Sequence, residues 1–360
     1  MIKNEFTTFS RYGQTAGGAR VRVFDWLRHL GVVNDVDSVI FTDYEPLHRS
    51  FADLRRLGHH LMKHHSLSKI SGLDRVLLHR DASPFGWGAL EERLLRAAKF
   101  GIFDFDDALH LQSAAGRLGN LFRPPIKTTR IVEAADRVVA GNDFLAEWAS
   151  AHCPDVVVVP SCVQPSAYVR KVDFEVSGVP TVGWIGSAST ERYLHLIVRP
   201  LLELNRSMGA ELVVIGAESA SGAFPAQLTG MTRRIPWSLT AQHEQLSSVD
   251  VGIMPLEQTD FERGKCAYKL LQYGAAAVPA IGTAIGVSAD VCRRFGAPTP
   301  VSERDWRDAL HGVLTMSSAE RARLGNAGHE AVSAHYSFDA WERTFLREVL
   351  GISQAEGIRG

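Results

Sequence analysis

The sequence predicts an α/β protein made of two doubly wound parallel sheets in tandem, and three observations predict it. Short β-branched runs alternate with longer amphipathic stretches along almost the whole chain, the pattern of stacked βα units. That periodicity lapses once, between Ser161 and Pro180, into a polar, proline-containing segment. With 360 residues, the chain suits two domains of about 150–200 residues each better than one core. The expected division is a first domain over 1–165, a linker over 166–180 and a second domain from 181.

In the first half, strands are expected near Phe6–Phe9, Ser38–Thr42, Arg75–His79, Gly101–Phe105, Arg137–Ala140 and Val156–Val159. Helices fill the gaps, among them Arg20–Leu30, Leu90–Lys99 and Asp143–Ala151, the last with Asn142 or Asp143 as N-cap. The second series has strands at Thr181–Ile185, Glu211–Ile215, Asp250–Met254 and Val278–Ile281. Its helices include Glu191–Met208 and Lys265–Ala276, and Ala319–Leu350 is largely helical with a break near Ala334–Ser337. No internal repeat or low-complexity tract is visible.

Thirty-nine Lys and Arg face forty Asp and Glu, so no global field recruits nucleic acid or an anionic membrane. The N-terminus lacks the apolar core of a secretory signal, and no apolar run approaches the ~20 residues that span a bilayer. A cytoplasmic location is expected, with which peripheral membrane contact stays compatible. Cys153, Cys162, Cys266 and Cys292 show no CxxC pairing and read as reduced thiols.

Doubly wound sheets bind ligands beyond the carboxyl ends of their strands, and a cleft between two such sheets is the default site. Four strand-end loops stand out. In Tyr12–Arg22, Gly17 and Gly18 allow close approach of a ligand to the backbone at a helix start, and Arg20 and Arg22 add positive charge. The spacing matches neither the dinucleotide GxGxxG nor the GxxxxGK[ST] phosphate loop, so a plain flexible turn competes. In Thr181–Tyr193 a strand ends at Gly186 and Ser187, Thr190 is the expected N-cap, and Arg192 falls in the first helical turn. A cation is disfavoured there unless an anion also binds.

The third loop is the richest. Arg263, Gly264, Lys265, Lys269 and Gln272 follow the strand Asp250–Met254, with Lys265 and Lys269 expected on one helical face. Three cations at one helix start, with no acid from Arg263 to Tyr273, suit a diphosphate; a solvated basic face is the plainer alternative. The fourth, Phe103–Ala108, sets Asp104, Asp106 and Asp107 within four positions, where they need a cation, a metal or shifted pKa values. A carboxylate facing an acceptor, a metal pair and an N-cap for the next helix all remain open readings. The histidines of His59–His65 read as a polar helix face rather than a metal site. Arg233–Trp237 sets Trp237 either against a nucleobase or in the core.

Asp250–Leu256 followed by Arg263–Gln272 resembles the donor-site segment of glycosyltransferase family 4, a subset of which shares an RGKxxxKLLxY run. Gly183–Ser187, Phe103–Asp107, Ala135–Asn142 and Tyr336–Phe338 match that subset in the same order, so the resemblance runs from about Gly17 to Leu350. It implies a GT-B architecture: two Rossmann-like doubly wound domains facing a cleft, the first for the acceptor, the second (181–336) for the donor, and a last helix, about 337–360, crossing back to the first. It implies transfer from a nucleotide-diphospho-sugar co-substrate with retention at the anomeric carbon, without a cofactor or required metal.

Arg192 with Lys269 or Lys265 would then hold the diphosphate, and Gly17, Gly18, Gly186, Ser187, Trp237 and Arg263 would line the donor. Asp106 would stand near the donor sugar, and Arg20, Asp104 and Asp107 toward the acceptor. The chain departs from the pattern at Gln272, where many members have a ribose-binding glutamate, and at Gly264, where they have the first glutamate of the pair. A GT-B nucleotide-sugar epimerase and a non-catalytic sugar-nucleotide-binding subunit stay as alternatives.

Overall fold

The structure is a computed structural model that describes residues 5–42, 54–111, 125–216 and 223–352. The chain divides into two compact units. One comprises Met1–Ser161, Gly264–Cys266 and Trp341–Gly360; the other comprises Cys162–Arg263 and Ala267–Ala340. The last part of the expected closing segment, 353–360, lies outside the described residues.

In the first unit, β1 (Phe6–Tyr12), β2 (Asp37–Thr42), β3 (Leu73–His79), β4 (Ala98–Phe105), β5 (Arg137–Ala140) and β6 (Val156–Val158) form one parallel sheet. Its order is β2-β1-β3-β4-β5-β6, so the winding reverses between β1 and β3. Phe9, Val76, Leu77, Leu78, Ile102 and Phe103 are consecutive or near-consecutive buried residues, the mark of strands covered on both faces. Helix Asp143–Ser150 starts where Asn142 accepts a hydrogen bond from the Leu145 N–H, as its side chain suggests. The segment from Trp341 joins this unit through Phe345, stacked on Trp26 at 4.1 Å, and through Glu348, 2.6 Å from Arg137.

Two details differ from the sequence expectation. The helix expected over Arg20–Leu30 is broken into Gly17–Ala19, a π-helical turn Arg20–Phe24 and Asp25–His29. Such wide turns re-aim side chains and concentrate at functional sites. Strand β4 begins at Ala98, inside the stretch expected to be helical.

In the second unit, β7 (Thr181–Ile185), β8 (Glu211–Gly216), β9 (Thr232–Pro236), β10 (Val251–Met254) and β11 (Ala280–Gly282) form a second parallel sheet. Its order is β11-β10-β7-β8-β9, which reverses between β7 and β10. Strand β9 is not among the strands expected from sequence; its Thr-Arg-Arg-Ile-Pro sequence is polar because it is an edge strand, where a terminal proline is tolerated. The 166–180 stretch packs inside this unit, with Tyr168, Lys171 and Phe174 buried and Phe174 O accepting from Arg321. Among the described residues no helix is long and apolar enough to cross a membrane.

Helix Ser318–His335 lies against helix Tyr268–Ala275, and the two approach through glycines. A Cβ at Gly325 would stand 2.2 Å from the Ala277 carbonyl oxygen, a backbone atom that cannot rotate away. Gly325→Ala is therefore expected to destabilise the protein by about 1–3 kcal/mol through overpacking. An unchanged denaturant midpoint would contradict this packing.

Candidate active site

In the second unit the winding reverses between β7 and β10, and ligands of doubly wound sheets collect at such a reversal. The loop after β7 carries Gly186 and Ser187 into a 3-10 helix, Ala188–Ile197. Ser187, not Thr190, is its N-cap residue, so Arg192 sits past the first turn rather than in it. The cation that the sequence left in search of an anion meets two carboxylates from the loop and short helix after β10. Arg192 is 3.5 Å from Glu257 and 3.4 Å from Glu262. Glu262 is buried and also accepts from the Tyr193 hydroxyl at 2.5 Å and from Thr259. Burial and the Glu262 carboxylate together push the Tyr193 phenol well above its ordinary range, so it stays a donor.

Lys269 lies one residue inside helix Tyr268–Ala275, with its ammonium 5.3 Å from the centre of the Trp184 ring of β7. Gln272, three residues on, is buried and donates to the Tyr168 hydroxyl at 3.4 Å. Gln242 donates to the same hydroxyl at 3.1 Å and accepts from the Trp237 indole at 3.4 Å. One chain of hydrogen bonds thus links Trp237, at the end of edge strand β9, to Gln272.

The basic run Arg263–Lys269 does not form one face. Ala267 takes a left-handed φ of 52° and the helix starts only at Tyr268, so Lys265 and Lys269 are not helical neighbours. Arg263 ends a short helix, 56% exposed and 3.4 Å from Asp260. Gly264, Lys265 and Cys266 belong to the first unit. There Asn142 donates to Gly264 O at 2.9 Å and Lys265 stands 3.4 Å from Asp107. A Cβ at Gly264 would lie 2.7 Å from that of Ala108, so a larger side chain does not fit here without a shift.

In the first unit the reversal lies between β1 and β3. The three acids after β4 are matched by cations from other elements. Asp104 is held by Arg22, at 2.5 Å, and by His79, at 2.7 Å. Burial works to raise its pKa, but Arg22 and His79 outweigh it and hold the group below the usual carboxylate range. Arg80 reaches Asp106 at 2.6 Å and Asp107 at 2.7 Å. For Asp106 too, the pull of Arg80, His79 and Arg22 exceeds burial, and its pKa is lowered. Arg80 does this from a φ of 58°, a conformation that costs a non-glycine residue on the order of 1–3 kcal/mol. The turn after it is fixed by Glu91, which accepts from the Ala82 and Ser83 N–H groups at 3.1 Å and from Lys127 at 2.9 Å.

Arg20 is buried beside Asp25, at 3.8 Å, within its own helical segment. Gly18 sits against Arg80 and His79. Sequence reasoning missed His79, Arg80 and Glu262 as site residues. The signal available for all three was position alone: each stands at or just beyond the carboxyl end of a strand beside a reversal.

No family model matches the chain, and no curated protein does. Solved structures do. The Anabaena HepE structure in complex with UDP and glucose is 10% identical, with 97% of this chain and all of that one covered, at a TM-score of 0.71. WaaG, a glycosyltransferase involved in lipopolysaccharide biosynthesis, is 12% identical over 96% of this chain and all of that one, at 0.66. An E. coli structure named for trehalose-6-phosphate and bound with UDP-2-fluoro glucose is 13% identical over 97% and 99%, at 0.60. The fold is GT-B. Of the GT-B donor residues expected from sequence, the second unit gathers Gly186, Ser187, Arg192 and Lys269 around the reversal and ties Gln272 to Trp237. The first unit gathers Gly18, Asp104, Asp106, Asp107, Gly264 and Lys265. Elsewhere in the second unit, a hollow of about 610 Å³ edged by Gln164, His329 and Ser337 contains none of the expected GT-B site residues.

The four cysteines are buried. Burial and the nearby Asp106 carboxylate push the Cys266 thiol up to about 12, and burial takes Cys292 to about 12 as well. Thiolate is the reactive form. Native protein is expected to take up iodoacetamide at none of the four, and at all four after denaturation, as read by mass spectrometry. Fast native alkylation of Cys266 would contradict the packing of Gly264–Cys266.

Proposed function

We propose that this chain transfers a sugar from a nucleotide-diphospho-sugar to a hydroxyl or amine of an acceptor, with retention at the anomeric carbon. The observation that carries it is the pair of cations, Arg192 and Lys269, on the two elements that flank the reversal of the second sheet. Charge builds on the diphosphate as the glycosidic bond breaks, and fixed cations at that point lower the barrier. The GT-B likeness to structures holding UDP, UDP-glucose or UDP-2-fluoro glucose supports the same reading. It requires no metal at Asp104, Asp106 and Asp107, because Arg22, Arg80 and Lys265 already face them.

Thermal unfolding with UDP, GDP, ADP and dTDP tests the donor site. One of the four is expected to raise the midpoint, since a ligand of the folded state held at 100 times its Kd adds about 2.7 kcal/mol. No shift with any of them would remove the proposal. A second reading, donor binding without transfer, is favoured by one observation: Gly264 has no room for the carboxylate that the resemblance implies at this position. Donor hydrolysis or transfer in the presence of the stabilising nucleotide's sugar conjugate separates the two.

A further inference from the structure

His79 ends β3 beside the reversal of the first sheet, and the reaction as outlined gives it no task beyond balancing charge. Its side chain is 3% exposed. Nδ1 is 2.7 Å from an Asp104 oxygen, and the Asp104 carboxylate is itself gripped by Arg22. A carboxylate only accepts, so Nδ1 donates to it, and Nε2 is the ring nitrogen left for another partner. That Nε2 is buried and has no hydrogen-bond partner among the described residues. Native proteins rarely leave such an atom unmatched, because the loss costs about 1–3 kcal/mol.

Gly18 stands beside Nε2. A Cβ on Gly18 would stand 3.3 Å from Nε2 and 3.1 Å from the Arg80 guanidinium carbon, while one on Gly17 would meet nothing within 4 Å. Gly18 thus brings only main chain against this nitrogen, and two successive glycines give that turn conformational freedom. A ring nitrogen held in one orientation beside an arginine suits a hydroxyl, which both donates and accepts.

We propose that Nε2 of His79 hydrogen-bonds to a hydroxyl of a bound sugar substrate beside Gly18, with Asp104 as the residue that positions the ring. This rests on the sugar-transfer reading above. The hydroxyl belongs either to the sugar being transferred or to the acceptor, and the experiment separates the two.

Protein labelled with 15N-histidine reports the state of Nε2 directly, the His79 signals being assigned by their absence from His79→Gln. UDP-glucose, GDP-mannose, ADP-glucose and dTDP-glucose are first screened by calorimetry, and the tightest binder is added to saturation. Movement of the Nε2 signal with the nucleotide sugar, but not with its nucleoside diphosphate, assigns the transferred sugar. Movement only when a panel of monosaccharides follows the nucleoside diphosphate assigns the acceptor. In the first case His79→Phe is expected to weaken the nucleotide sugar about tenfold and to leave the nucleoside diphosphate unchanged, with His79→Gln between them. If a nucleotide sugar binds and the Nε2 signal stays still in every addition, the contact is wrong while the sugar-transfer reading stands. If no nucleotide sugar binds, both fall.

Discussion

Lys269→Ala is expected to lower sugar transfer or donor hydrolysis by about 100-fold or more, the scale seen when one fixed electrostatic stabiliser of a developing negative charge is removed. The ammonium sits one residue into a helix beyond β10 and over the Trp184 ring. Arg192 faces Glu257 and the buried Glu262, so Arg192→Ala also strips a buried carboxylate of its cation. Arg192→Ala is expected to lower the melting curve as well. Initial rates against donor concentration, alongside melting curves, check both. Wild-type kcat and KM in both variants would end the site assignment.

Asp104→Ala carries the largest expected loss of stability, about 3–5 kcal/mol, because breaking a buried ion pair leaves the other charge uncompensated. The stranded charge is Arg22, whose side chain is 2% exposed. Its remaining hydrogen bond, to Val159 O at 2.7 Å, cannot balance a full positive charge. Asp104→Asn keeps the shape and loses less. The pH sign follows from the lowered pKa of Asp104. The unfolded chain takes up this proton at about 3.9, before the folded one does. The contribution is therefore complete above that pH and disappears as pH falls through the folded value. Urea titrations at neutral pH and in acid should show the wild-type advantage over Asp104→Asn shrinking in acid. An advantage that stayed constant would show that Asp104 is not held as described.

The Asp104 network also explains why so much of the first-unit site was hidden in sequence. Three acids in four positions announce a need for compensation, and the chain around them does not name the partners. Arg22 is 82 positions away, His79 is 25 and Arg80 is 26 from Asp106. His79 was visible only as the last residue of an apolar strand. Likewise the run Arg263–Lys269 looks like one basic helix face because helical periodicity predicts neighbours four apart. The left-handed Ala267 breaks that periodicity, and nothing in alanine's side chain signals it.

Sequence alone settled the two tandem sheets, most strand positions and the lapse near Ser161–Pro180, because burying strands on both faces demands apolar runs that local composition records. It also marked Gly186, Arg192 and Lys269, since strand-end loops are where polar and glycine residues interrupt those runs. Only tertiary structure decided which charges meet: Arg192 with Glu262, Lys265 with Asp107, His79 with Asp104, and Gly264 against Ala108. Pairings of that kind depend on strand order and on close backbone approach, and both are set by long-range packing rather than by any spacing along the chain.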